Sequence, residues 1–290
     1  MLVSTTKHAD GVVEVAVDAP PVNALPVRGW HDLAQAVTRA GGSPATRVVV
    51  LRAEGRGFNA GVDIKEMQRT ARFDALIGAN RGCRAAFAAV RDCPVPVVAA
   101  VQGHCLGGGV GLAGSADIVV AADDAYFGLP EVDRGALGAA THLSRLVPRQ
   151  LMRAMVYTCR TVPAARLHEF GSVLAVVPPD GLRREAFDVA RAIAAKDPRV
   201  IRCAKQALDG IDPDDTDRDY RFEQGFTYEL SLIGAGDDLR DRFVDADGGG
   251  AAASGVRTGA EDGGRTGTKD DHPTGAGNGG RSGAAEGGAR

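Results

Sequence analysis

The chain has 290 residues, of which 44% are apolar, and a formal net charge of -3. That length and apolar fraction are enough for one sizeable core or two modest ones. Only five of the 34 basic residues are Lys, and the net charge is close to zero. Both facts argue against a surface that binds nucleic acid.

Five Cys are scattered without a C-x-x-C pair, and an odd number cannot all pair within the chain. We therefore expect reduced thiols. The first residues hold no apolar stretch of signal-peptide length, and no later segment approaches about eighteen uninterrupted apolar residues. These features predict a cytoplasmic protein that does not enter a membrane.

Short β-rich runs alternate with helical stretches along the chain, which is typical of an α/β fold. The first predicted helix spans residues 27–40, with Trp30, Leu33 and Val37 at helical spacing, and Gly41 and Gly42 are expected to end it. Predicted strands lie at residues 12–17, 48–51, 95–101 and 117–122.

The C-terminal part has a different pattern. Residues 197–208 place Val200, Ile201, Ala204 and Leu208 on one helical face. Five of the thirteen Phe and Tyr follow between residues 220 and 243, so we expect them to pack on the core or on another subunit. Residues 247–290 are rich in Gly and predict a disordered tail, or else a linker, because such a segment cannot offset its ordering entropy.

Two glycine-bearing turns each follow a predicted buried strand: residues 58–67, FNAGVDIKEM, and residues 103–109, GHCLGGG. Main-chain N–H groups at such turns can hold an anion, although a purely structural turn is the alternative. The glycines form neither the G-x-G-x-x-G pattern of a dinucleotide site nor a phosphate-binding P-loop. Neither NAD nor ATP is supported.

These segments resemble the crotonase, or enoyl-CoA hydratase/isomerase, superfamily. Residues 58–67 are similar to its F-x-A-G-A-D-hydrophobic-K-E-M motif, and residues 104–118 to its G-x-x-x-G-G-G…D motif. Residues 127–131, FGLPE, are similar to its F-x-x-P-E motif. The resemblance extends from about residue 12 to residue 243.

The resemblance implies an α/β fold in which a spiral of stacked ββα units covers residues 1–195. A helical trimerisation region at residues 196–246 and the tail at 247–290 complete the expected organisation. Family members are usually trimers or dimers of trimers, so we expect a homotrimer or a hexamer.

The resemblance also implies the site residues. The main-chain N–H groups of Val62 and Gly108 would hold the thioester oxygen as a thioenolate develops. No separate cofactor is expected, and coenzyme A would bind as part of the acyl-CoA substrate. Its predicted contacts are Asn23, Ala24, Leu25, Ala60, Gly61, Asp63, Ile64, Lys65 and Gly107; for Lys65, a solvated surface charge is the alternative.

The acidic residues separate the reaction classes. Hydratases of the family use two Glu, one of them two residues beyond the triple Gly and the other in the Pro-Glu motif. Here the first position is Gly111, and only Glu131 remains. A two-carboxylate hydration is therefore disfavoured, whereas chemistry that needs a single base remains possible.

Two such reactions are double-bond isomerisation and hydrolysis of a ring carbon-carbon bond. Residues 131–143 and 220–226 resemble an actinobacterial subgroup of steroid catabolism that hydrolyses the five-membered ring of an indene-carboxyl-CoA intermediate. Ring hydrolysis with Glu131 as base is therefore the preferred hypothesis. The alternatives are an enoyl-CoA hydratase or isomerase of fatty-acid oxidation and a non-catalytic interaction protein that keeps the fold.

Asp133, Arg134 and His142 follow Glu131 closely and are candidate auxiliary groups. Asp133 and Arg134 can equally pair with each other, and His142 can cap or line a helix. The other His show no ligand spacing, so no metal is predicted.

Overall fold

The computed structural model describes residues 1–69, 73–212, 215–236, 239, 241 and 242. They belong to one structural unit, Met1–Gly259. A second unit, Ala260–Arg290, and the predicted tail at residues 247–290 lie outside the described residues.

Nine strands and ten helices form the described part of the chain. The strands are β1 Val3–Lys7, β2 Val12–Val17, β3 Val48–Ala53, β4 Val97–Val101, β5 His104–Leu106, β6 Ile118–Ala122, β7 Tyr126–Gly128, β8 Val162–Pro163 and β9 Ala175–Val177. The helices are α1 Val27–Gly42, α2 Ile64–Arg69, α3 Asp74–Arg91, α4 Gly108–Ser115, α5 Ala140–Leu143, α6 Arg149–Thr158, α7 Ala164–Glu169, α8 Leu182–Ala194, α9 Pro198–Ile211 and α10 Thr216–Leu232.

A six-stranded sheet in the order β1-β2-β3-β4-β6-β9 forms the centre of the fold. Every neighbouring pair is parallel except β1 with β2. All residues of β2 and β4 are buried, because helices cover both faces, as the continuous apolar runs predicted.

The period of two along each strand divides the core into two layers. Val13, Val15 and Leu51 face α1 and α3 in one layer. Val12, Val48 and Val50 face α8 in the other. The four predicted strands are confirmed as β2, β3, β4 and β6, with ends that differ by at most two residues.

The predicted end of the first helix is wrong by two residues, because α1 continues through Gly41 and Gly42. A Cβ at Gly41 would lie 2.4 Å from Sγ of Cys93. Gly41 therefore serves close packing inside the helix rather than its termination.

Helix α9 covers its predicted segment, but its apolar side chains are not buried in this chain. Val200 and Leu208 are each 62% exposed. The buried side chain is Lys205, whose Nζ lies 3.1 Å from Asp117 and 2.9 Å from Asp209. In α10, Tyr220 is buried whereas Phe222 is exposed. Within the described residues, no helix is both long enough and apolar enough to span a membrane.

Candidate active site

Three segments run side by side at one edge of the small sheet, whose strand order is β5-β7-β8. β5 and β7 are parallel, with Leu106 opposite Gly128. Their carboxyl ends therefore meet at one edge, where the main-chain N–H of Gly107 donates to Gly128 O at 3.0 Å. On the other side of β5, Asn59 pairs with Cys105.

The first turn approaches the start of α4 closely. A Cβ on Gly61, whose φ is +89°, would lie 3.3 Å from the main-chain nitrogen of Gly108. The side chain of Asn59 fixes this turn, because its Oδ1 accepts from the Gly61 N–H at 2.8 Å. Val62 and Gly108 are thereby brought together across the two turns.

Neither Val62 nor Gly108 uses its main-chain N–H for a hydrogen bond to another described residue. The main-chain groups on either side of Val62 are bonded: Gly61 O accepts from Leu25 N at 2.9 Å, and Asp63 N donates to Leu25 O at 3.0 Å. Two neighbouring donors without acceptors can hold one oxygen atom.

Glu131 lies beside the same turn. It follows β7 and precedes a single 3-10 turn, Val132–Arg134. A Cβ on Gly107, whose φ is +55°, would lie only 2.2 Å from Oε1 of Glu131. Only a residue without a side chain at 107 leaves room for the carboxyl group.

The carboxyl end of Glu131 is buried, although the residue as a whole is partly exposed. Its Oε2 atom has no hydrogen-bond partner among the described residues. Burial raises the pKa of Glu131 to about 8, against the lowering effects of its own main chain and of Arg134. At neutral pH most of this group is therefore protonated.

The carboxyl group faces a cavity with about 760 Å³ of empty space, part of it open to solvent. Its walls are mostly apolar, and Glu131 is the only carboxylate among the described residues that line it. The lining residues are Ala60, Gly61, Val62, Ile64, Met67, Leu76, Ala79, Asn80, Cys83, Gly108, Glu131, Arg134, Ala136, Leu137, Gly138, Ala139, Tyr220 and Thr227.

The position of a second carboxylate is closed by packing. A Cβ on Gly111 would lie 2.1 to 2.5 Å from three ring atoms of Phe87. Phe87 in turn contacts Trp30 and His142 edge-on, with ring centroids 5.8 and 4.7 Å apart. No larger side chain fits at residue 111 without displacing this aromatic cluster.

The three candidate auxiliary groups are separated in the structure. Arg134 lines the cavity with Glu131, whereas Asp133 is exposed. His142 is buried and lines a different, smaller cavity, together with Phe87 and Tyr220. Burial and the nearby Arg145 lower the pKa of His142 to about 3, so the ring is neutral.

The candidate coenzyme A contacts differ in accessibility. Leu25 is fully buried. The side chain of Asn23 is committed to main-chain atoms, because it accepts from Ala19 N at 2.7 Å and donates to Glu54 O and Gly57 O at 2.8 Å. Neither side chain is therefore available to a ligand in this structure, whereas the Lys65 side chain is exposed.

The remaining candidates lie along the same turn. Ala60, Gly61 and Ile64 line the cavity. Asp63 starts α2, because its Oδ1 accepts from Lys65 N at 2.9 Å, and Ala24 is half-buried. Within the described residues, no group of three or more His, Cys, Asp or Glu could hold a metal ion.

From the sequence, the pocket walls were expected from residues 68–91 and from the C-terminal helices, but the individual residues of α3 and α10 were not identified. Leu76, Ala79, Asn80 and Cys83 line the cavity from α3, and Tyr220 and Thr227 from α10. The available signal was Asn80, a polar residue among apolar neighbours at helical spacing.

Glu223 joins α10 to the start of α5. Its carboxylate accepts from the Ala140 and Thr141 main-chain N–H groups at 2.9 and 3.1 Å. Burial raises its pKa despite these bonds. Its charge is one of the influences that raise the pKa of Glu131.

The fold and this arrangement define an enzyme of the crotonase class. The family model described as enoyl-CoA hydratase/isomerase matches residues 7–230. The chain belongs to this family. The chain aligns with the crystal structure of an enoyl-CoA hydratase from Mycobacterium avium subsp. paratuberculosis with a TM-score of 0.75 and 25% identity, over 85% of this chain and 96% of that one. It aligns with the crystal structure of an enoyl-CoA hydratase/isomerase from Xanthobacter autotrophicus with a TM-score of 0.73 and 27% identity, over 87% of this chain and 99% of that one.

Two relatives, from Rhodococcus jostii and Mycobacterium tuberculosis, are 62% identical over 245 and 244 residues. The matches cover 84% of this chain and 95% and 99% of the relatives. Both are named (7aS)-7a-methyl-1,5-dioxo-2,3,5,6,7,7a-hexahydro-1H-indene-carboxyl-CoA hydrolase. The predicted family and the predicted resemblance to indene-carboxyl-CoA hydrolases are confirmed.

Proposed function

We propose that the protein hydrolyses a ring carbon-carbon bond in a bicyclic, steroid-derived oxo-acyl-CoA, and that Glu131 is the base. The observation that carries this proposal is the buried carboxyl group of Glu131, whose Oε2 has no partner and which faces an apolar cavity lined by no second carboxylate among the described residues. The names of the two 62% identical relatives support the same substrate class.

In the proposed reaction, Glu131 takes a proton from water while the water oxygen adds to the carbon of a ring ketone. The adduct collapses to a carboxylic acid and breaks the adjacent carbon-carbon bond. The electron pair of that bond passes into a thioenolate, whose oxygen accepts from the N–H groups of Val62 and Gly108. Glu131 then returns the proton to carbon, so one water is consumed and the thioester stays intact.

Incubation of the protein with the dioxo-hexahydroindene-carboxyl-CoA, followed by mass spectrometry and a thiol assay, tests this proposal. The expected product is heavier by one water and still carries coenzyme A. Release of free coenzyme A thiol would instead indicate thioester hydrolysis and contradict ring opening. Turnover of crotonyl-CoA at ordinary hydratase rates would favour the hydratase alternative.

The matched variants are Glu131→Gln and Asp133→Asn. Each removes one carboxylate without changing side-chain size, but Asp133 is exposed outside the cavity. Glu131→Gln is expected to abolish ring opening, and Asp133→Asn to retain it. Equal activity of Glu131→Gln and wild type would exclude Glu131 as the base.

We further propose that the chain assembles as a homotrimer or a dimer of trimers. Large apolar side chains on α9 and α10 are exposed in the single chain, including Val200, Leu208, Ile211, Phe222 and Leu232, and such surfaces usually mark interfaces. Light scattering is expected to give a multiple of three chains, and a stable monomer would contradict the proposal.

Five free cysteines among the described residues support a cytoplasmic location, because thiols stay reduced there.

A further inference from the structure

Two buried polar atoms without partners face the same cavity. One is Oε2 of Glu131, a hydrogen-bond acceptor when ionised, and the other is Nδ2 of Asn80, a donor. Buried polar atoms in folded proteins are almost always bonded. An acceptor and a donor that both lack partners and line the same cavity therefore indicate a ligand that bonds to both.

Asn80 lies on the cavity side of α3, and its main chain, not its side chain, is bonded to α10. Gln224 Nε2 donates to the main-chain oxygen of Asn80 at 2.9 Å. Cys83, one helical turn further on, lies close enough to Glu131 for that carboxyl group to help raise the pKa of the thiol. Residues three apart on a helix are neighbours, so the Asn80 amide lies near the same part of the cavity.

Two other polar side chains that line the cavity already have polar partners. Thr227 Oγ1 accepts from Leu137 N at 3.0 Å and donates to Leu137 O at 2.9 Å. The Tyr220 hydroxyl interacts with Gln224. The Asn80 amide is thus the buried side-chain donor in this cavity that remains available among the described residues.

We propose that the side-chain amide of Asn80 donates a hydrogen bond to the oxygen of the ring ketone that water attacks. This inference rests on the proposed function and assigns the residue that selects ring-keto acyl groups over simple enoyl groups. When the water oxygen bonds to the ketone carbon and its proton passes to Glu131, the ketone oxygen becomes an oxyanion. The amide then stabilises that charge, and collapse of the adduct reforms the carbon-oxygen double bond.

Asn80→Leu removes the donor at nearly constant size and leaves the main-chain bond from Gln224 in place. The expected loss of kcat/KM for ring opening is about 100- to 1000-fold, as for other single oxyanion donors. Arg81→Leu is the control, since it places the same side chain on the exposed face of α3, next to Asn80 but outside the cavity. It is expected to retain activity within about tenfold.

A binding measurement separates this inference from the proposed function. Calorimetry in the Glu131→Gln background compares the dioxo-indene thioester with the same ring system lacking the ring oxygens. We expect the keto thioester to bind about tenfold more tightly, and Asn80→Leu to remove that preference. The Arg81→Leu control is expected to keep it.

Two results would overturn the assignment. One is an unchanged preference in Asn80→Leu, and the other is an equal loss of affinity for both thioesters, which indicates packing alone. If wild-type protein fails to open the ring, the proposed function is wrong, whereas the binding preference still decides whether Asn80 recognises the ketone.

Discussion

The ring of Phe87 fills the space above Gly111: a Cβ added there would lie 2.1 Å from Cζ of Phe87. Phe87 comes from α3 and Gly111 from α4, so the contact joins two helices beside the cavity. The ring of Phe87 therefore occupies the space that an acidic side chain at residue 111 would need. This relationship explains why one substitution at residue 111 would not create a two-carboxylate site.

Gly111→Ala is expected to lower the free energy of unfolding by about 1 to 3 kcal/mol, because the new methyl group overpacks the core. In a Phe87→Ala background the same change is expected to cost much less. Urea unfolding of the two single variants and the double variant measures this coupling. Gly225→Ala is the control, since it lies in α10 with nothing within 4 Å of the added Cβ. An equal cost of Gly111→Ala in both backgrounds would rule out the clash.

The pH dependence of ring opening is expected to follow Glu131. The base must be ionised, and the pKa is raised to about 8 by burial. The value of kcat/KM should therefore rise with pH, about tenfold per unit below pH 7, and level off above the pKa. Steady-state rates between pH 5.5 and about 9.5 check this expectation. A profile that is flat from about pH 5 upwards would mean that the ionised form is not limiting.

The same burial predicts a cost in stability. The folded state binds the Glu131 proton more tightly than the unfolded state, whose pKa is 4.5. Stability is therefore lost as pH rises from 4.5 through the folded value of about 8. Glu131→Gln removes the charge, so it is expected to be more stable than wild type at pH 8.5 by on the order of a few kcal/mol. At pH 5 the two proteins should differ little, and thermal unfolding at the two pH values compares them.

Gly107→Ala is expected to lower kcat by at least about 100-fold, because the new Cβ would displace the Glu131 carboxyl group. The added Cβ would lie 2.2 Å from Oε1. Gly171→Ala is a matched control, since Gly171 also has a positive φ but nothing lies within 4 Å of the added Cβ. Both variants are strained in the backbone, whereas only the first should lose activity. Comparable rates for the two would show that Gly107 does not protect the carboxyl group.

Much of the fold followed from local patterns in the sequence. Continuous apolar runs predicted β3 and β4, because strands covered on both faces carry no polar side. The glycine turns were identifiable because close main-chain approaches require residues without side chains. Glu131 was identifiable because residues 127–131 resemble the F-x-x-P-E motif of the family. The end of α1 was misjudged because Gly41 serves packing against Cys93, a contact that distant residues create.

The sequence by itself determined the alternation of strands and helices, the positions of the two glycine-bearing turns, and the absence of an acid at residue 111. Only the tertiary structure decided that Glu131 is buried with a raised pKa, that Phe87 closes the second acid position, and that Asn80 faces the cavity. The physical reason is that a pKa and a steric limit depend on which atoms surround a group. Those atoms come from helices 20 to about 90 residues away in the chain, and their approach is set by packing rather than by local sequence.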